Sequence, residues 1–191
     1  LAVMRPLPAA PFEACDLQSG QVTSTSLVRY RGNDYSVPVA YGYREVWIRG
    51  YVDQVVIGCA GDVIARHPRS YDREDMIFDP IHYLALLEQK IGAFDQAAPL
   101  ANWDLPEAFQ TLRRLMEARM LKAGRREYVQ VLRLLESFDL EDLHVAVKTA
   151  LRMGAIGFDA VKHLVLCQVE TRPPKLDLDV YPYLPRANVG K

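Results

Sequence analysis

"LVRYRGNDYSVP", Leu27–Pro38, decides how the first part of this chain folds. Gly32-Asn33 stands between two runs rich in Val, Tyr and Ser. Glycine tolerates a positive φ at the first central position of a type II′ turn, so the stretch predicts a tight β-hairpin. A two-residue loop there pairs Arg31 with Asp34, Tyr30 with Tyr35, Arg29 with Ser36 and Val28 with Val37. Alternation then puts Val28, Tyr30, Tyr35 and Val37 on one face, and Arg29, Arg31, Asp34 and Ser36 on the other. The first is a core face. The second is polar, open to water or to phosphate.

Outward from the hairpin, "YREVWIRGY" and "DQVVIGCAGDVIARHP" are short alternating or apolar runs broken by Gly50, Gly58 and Gly61. Val46 and Ile48 alternate with Trp47 and Arg49, and Val55 and Ile57 can pair back onto Val63 and Ala65. Five short strands over residues 21–72 predict a small closed or nearly closed β-barrel. Residues 1–20, rich in Pro and Ala, read as an extended linker.

The texture changes at Asp79-Pro80, an N-cap followed by proline at the first helical position. Residues 73–123 read as a helical connector. Its first helix shows Ile81, Leu84, Leu87 and Ile91 on one face; its second, after Pro106, carries Phe109, Leu112, Met116 and Met120 and stops at Gly124. Residues 124–170 read as a three-helix module. Tyr128, Val131, Leu132, Leu135 and Phe138 line its first helix, Asp139 caps the second, and Asp159 opens the third. Residues 171–191 read as an extended Pro-rich tail bearing Tyr181, Tyr183 and Leu184.

The 191 residues are half hydrophobic and one-quarter charged, with 23 Lys and Arg against 24 Asp and Glu, a net charge of −1. A nucleic-acid surface must therefore be local. No apolar run approaches the roughly 20 residues of a membrane span, and the start lacks a signal-peptide layout. Starting at Leu1 rather than Met, the chain reads as a piece of something longer. Cys15, Cys59 and Cys167 are widely spaced, which favours a reducing compartment over disulfides or a zinc ribbon.

No phosphate-cradling glycine loop and no nucleophile elbow is present. The acidic groups Asp72, Glu74, Asp75 and Asp79, and Asp139, Glu141 and Asp142, sit at helix starts, where capping accounts for them better than a metal pair does. His163 and Cys167, four apart on one helix, have no second pair to complete a four-ligand site. No metal or catalytic residue is assigned.

The basic residues say more. Arg113, Arg114, Arg119, Lys122, Arg125 and Arg126 fall within fourteen residues, opposed only by Glu117. The barrel adds Arg29, Arg31, Arg44, Arg49, Arg66, Arg69 and Arg73. Each alone suits a solvated surface; together they are the set that phosphate contact requires. The last helix, "FDAVKHLVLCQVE", offers few polar readers and looks like core rather than a DNA-recognition helix.

"NDYSVPVAYGYREVWIRGYVDQVVIGCAGDVIARHPRSYDRED", "DPIHYLALLEQKIGAFDQAAPLANWDLPE" and "GAIGFDAVKHLVL", with the "LDLDVYPYLP" tail, resemble the C-terminal region of IstA-type insertion-sequence transposases, which themselves resemble phage Mu transposase. The resemblance implies an α+β fold: a small SH3-like, Mu-transposase-type β-barrel followed by a mainly α-helical module. It implies a non-catalytic part of a DDE-type transposase in DNA transposition, with the divalent metal, Mg, in a catalytic domain that these residues do not match. It implies as partners the insertion-sequence DNA ends, other transposase subunits and a helper ATPase, IstB, in the bacterial cytoplasm. The helices and Tyr181, Tyr183 and Leu184 are the candidate partner contacts. A principal role in DNA binding, or passive packing against the catalytic domain, are the alternatives.

Overall fold

The computed structural model describes residues 14–170. Seven strands precede five α-helices among them: β1 Asp16–Gln21, β2 Leu27–Tyr30, β3 Asn33–Ser36, β4 Glu45–Gly50, β5 Gln54–Cys59, β6 Asp62–Pro68 and β7 Met76–Ile77, then α1 Leu84–Gln89, α2 Glu107–Met120, α3 Lys122–Arg133, α4 Leu140–Met153 and α5 Phe158–Val169. The α+β order matches the sequence expectation. Residues 16–20, expected in a linker, instead form most of β1, which pairs with β4.

The strands form two sheets, an antiparallel one in the order β1-β4-β5-β6 and a second in the order β2-β3-β7, with β7 parallel to β3. Their inner faces share one core, built from Val28, Tyr30, Tyr35, Val46, Ile48 and Ile57 among others. Strand pairing does not close into a ring among the described residues, so the expected barrel is two sheets held by a common core rather than by continuous hydrogen bonding.

The hairpin exists, with its turn one residue earlier than expected. Tyr30 pairs with Asn33, Arg29 with Asp34, Val28 with Tyr35 and Leu27 with Ser36. Arg31 (φ 51°) and Gly32 (φ 89°) are both left-handed, which makes the turn type I′ rather than II′. Asn33 is the cause. Its buried side chain donates to the Ser70 carbonyl at 3.1 Å and accepts from the Asp75 N–H at 3.0 Å, holding it in the strand. Each residue's partner moves by two positions, so every side chain keeps its face. Val28, Tyr30, Tyr35 and Val37 are all buried, as alternation requires.

The helices share a second core that includes Leu84, Phe109, Leu112, Met116, Leu132 and Val161. The boundary expected between residues 123 and 124 falls inside α3, because Gly124 does not end α2. The break lies at Leu121, and Gly124 is buried in the first turn of α3. A Cβ there would stand 2.1 Å from the Met116 carbonyl oxygen, so glycine is what lets α3 press on the α2 backbone.

Asp79 caps as expected: its Oδ1 accepts from the Ile81 N–H at 3.0 Å, and Pro80 follows. Asp139 holds the N-cap position of α4 without a side-chain cap bond. At α5 the N-cap is Gly157, not Asp159, and the missing acceptor comes from another helix: Glu127 of α3 accepts from the Phe158 N–H at 3.2 Å.

Candidate nucleic-acid interface

The hairpin's polar face is less available than its sequence suggests. Arg31 donates from Nη2 to Asp16 Oδ2 at 2.7 Å and from Nε at 3.0 Å, bridging the turn to β1. That bond, with a second from the Tyr30 hydroxyl, holds the Asp16 carboxyl below the ordinary carboxylate range. Arg29 donates to the Gly32 carbonyl at 3.1 Å and lies 3.7 Å from Asp34. Both are exposed, but each cation has a carboxylate within 4 Å.

The outer face of the four-stranded sheet is different. Leu17, Arg49, Val56 and Arg66 form one row across β1, β4, β5 and β6. One row along, Trp47 stands opposite Gly58, and its ring lies so close that a Cβ on Gly58 would meet it at 2.0 Å. The indole N–H donates to the Ala60 carbonyl at 3.1 Å, and the Arg49 guanidinium lies 4.9 Å from the ring centroid. Val56 is 3% exposed although it lies off the inner core. Arg66 is exposed and has no carboxylate partner among the described residues. The face thus combines an indole held flat on the sheet with two guanidinium groups, a surface suited to phosphate and sugar. Trp47 carried no functional weight in the sequence; its alternation with Val46 and Ile48 was the available signal.

The other barrel arginines are dispersed. Arg44 lies over Tyr41, 5.6 Å from the ring centroid. Arg69 donates to the Tyr51 carbonyl at 2.7 Å and stacks on the exposed Tyr71 ring at 4.7 Å.

In the helices the fourteen-residue basic run divides. Arg113 and Arg125 both bind Glu117, at 2.9 and 3.1 Å, and both bind Asp95. Two cations and two anions there cancel, and they brace α2 against α3. Arg113 and Arg114 also border a groove of about 650 Å³ walled by Trp103, Leu105 and Tyr128. Arg119 donates to the Gly154 carbonyl at 3.5 Å. Arg114, Lys122 and Arg126 are exposed and without a carboxylate hydrogen-bond or ion-pair partner among the described residues. Arg133, which the sequence did not single out, joins Glu88 at 2.7 Å and Glu136 at 2.8 Å, and those bonds raise its pKa.

No group of three or more His, Cys, Asp or Glu among the described residues could hold a metal ion. His163 Nε2 and Cys167 Sγ lie 3.5 Å apart on an exposed face of α5. No helix among the described residues is long and apolar enough to cross a membrane. Tyr181, Tyr183 and Leu184 lie outside the described residues.

Residues 7–79 match the family described as Mu transposase, C-terminal domain. The chain is 37% identical over 169 residues to transposases for insertion sequences IS1326/IS1353 from Pseudomonas aeruginosa and Shigella flexneri, covering 86% of this chain and 32% of each relative. It is 34% identical over 197 residues to a transposase from Aminobacter aminovorans, covering 97% of this chain and 38% of that protein. The chain spans about a third of the length of the curated relatives it matches. No solved structure matches it.

Proposed function

This chain is similar over most of its length to insertion-sequence transposases, with residues 7–79 matching the Mu transposase C-terminal domain, and from that premise we propose that it is a non-catalytic C-terminal region of a DDE-type transposase that supports DNA binding and synaptic assembly. The observation that carries the DNA reading is the outer sheet face, where Arg49 lies over Trp47 and Arg66 stands exposed across Val56. Guanidinium groups on a rigid sheet bind phosphates with little loss of side-chain freedom, and with a net charge of −1 such binding must come from local patches of this kind. The metal-dependent strand chemistry belongs, in this reading, to a catalytic domain outside these residues, and the protein works on DNA in the bacterial cytoplasm.

The same reading gives the helices and Tyr181, Tyr183 and Leu184 a contact with a helper ATPase of the IstB kind or with another transposase subunit. Support for that contact comes from the sequence of the tail and the family resemblance alone.

Titration of the chain against insertion-sequence-end DNA and against IstB separately tests both parts. DNA binding with a steep inverse salt dependence supports the first; no binding to end or random duplex at low salt overturns it. Loss of IstB capture on deleting residues 171–191 supports the second, and unchanged capture overturns it. Binding to neither partner favours passive packing against the catalytic domain.

A further inference from the structure

Leu121 is the one-residue link between α2 and α3, and it is held at φ 51°, ψ −123°. That region suits glycine; for a bulky side chain it is an outlier, and the outlier sits where nothing covers it. Leu121 is 77% exposed and packs on neither core. The backbone is fixed on both sides, by the Leu121 N–H donating to the Glu117 carbonyl at 3.0 Å and the Arg125 N–H to the Leu121 carbonyl at 3.4 Å. The leucine is therefore a rigid apolar point at the tip of a helical hairpin.

Its surroundings are cationic. Residues 118–126 hold Arg119, Lys122, Arg125 and Arg126 and no acidic residue. Arg125 is consumed by Glu117 and Asp95; the other three have no carboxylate hydrogen-bond or ion-pair partner among the described residues. A single exposed leucine flanked in sequence by cations offers a protein partner little area to bury. It fits a duplex well, since phosphates meet the cations while an apolar wedge enters between base pairs.

We propose that the Leu121 tip is a DNA-bending wedge, in which the Leu121 side chain inserts at a base step while Arg119, Lys122 and Arg126 contact the flanking phosphates. This rests on the DNA-binding reading above and adds to it a deformation, a residue and a second point of contact, on the helices rather than the sheet. Unstacking a step kinks the duplex toward the major groove, by about 20–90° in proteins that use such wedges.

The test compares the wild-type chain with Leu121→Gly in energy-transfer measurements of bend on end-labelled insertion-sequence-end duplex, alongside anisotropy for affinity. Glycine accepts the backbone angles of this position, so the variant should unfold at the same or higher urea concentration. The expected result is a bent duplex with wild type and an unbent one with Leu121→Gly, affinity changing by no more than about tenfold because the phosphate contacts remain. Leu121→Phe should restore the bend. Binding without bending by the wild type, or equal bending by Leu121→Gly, overturns the wedge and leaves DNA binding standing. Loss of self-association in Leu121→Gly with the bend unchanged overturns it in favour of a contact between copies. No DNA binding by the wild type fails the underlying reading instead, and removes the wedge with it.

Discussion

The Ser36 hydroxyl at the end of β3 lies 2.9 Å from Nδ1 of His82 and accepts the Asp79 backbone N–H at 2.8 Å, so one serine fastens the sheets to the start of the helices. The other ring nitrogen of His82, Nε2, faces the Asp79 carboxylate at 3.7 Å, so the imidazole is held between the serine and the cap residue. His67, on β6, donates from Nε2 to the Ser36 carbonyl at 2.6 Å, and its ring packs edge-on against His82 at 5.6 Å. His67 is buried and His82 half-buried between the strands and the first helical turn, and burial lowers both pKa values.

Acid should therefore loosen this joint. Burial brings the His82 pKa from 6.5 down to about 4 against the opposing pull of Asp79. Between those values the unfolded chain takes up a proton that the folded chain refuses. The stability is fully present above pH 6.5 and is lost as pH falls toward 4, by about 3 kcal/mol at most from this group. Urea unfolding at a series of pH values should show a falling midpoint across that window. His82→Asn, which keeps a hydrogen-bonding group beside the serine and cannot protonate, should flatten the slope; an unchanged slope would refute the assignment.

Gly124→Ala should destabilise the helices although alanine is the better helix former. The new methyl would stand 2.1 Å from the Met116 carbonyl oxygen, which is backbone and can yield only by separating α2 from α3. The expected loss is about 1–3 kcal/mol in chemical denaturation. A gain in stability would mean that the two helices are not pressed together at this point.

Asn33→Ala removes both side-chain hydrogen bonds from Asn33 to the segment leading into β7. The Ser70 carbonyl and the Asp75 N–H would lose their partner in a site where Asn33 is 1% exposed. A cost of about 2 kcal/mol is expected. Amide exchange should accelerate at Asp75, whereas Val28 and Tyr35, paired through the strand ladder, should remain protected.

What the sequence made legible follows from the range of each interaction. The core face of the hairpin was readable because the two-residue period survives a shift of the turn, and Asp79-Pro80 marked its helix start through a bond only two residues long. The turn itself was misplaced because Asn33 answers to Ser70 and Asp75, 37 and 42 residues away. The same limit governs the candidate site. A run of cations on α2 and α3 shows its composition in the sequence, but not that Asp95, 18 residues before Arg113, neutralises part of it. Trp47 was legible as a strand residue, while the glycine that seats its ring lies on the neighbouring strand.

That division between engaged and unengaged cations makes the last prediction discriminating. Arg31 and Arg66 are both exposed on the strand region, and composition alone treats them alike. Arg31 already gives two of its donors to Asp16, whereas Arg66 has no carboxylate partner among the described residues. A phosphate contact by Arg66 releases counterions, so Arg66→Ala should lower the slope of log affinity against log salt by about 0.9. Arg31→Ala frees the Asp16 carboxylate as it removes the cation, and should leave that slope nearly unchanged while loosening the link between the turn and β1. Equal effects from Arg31 and Arg66 would show that the outer sheet face has no special part in binding, and would move the interface to the hairpin.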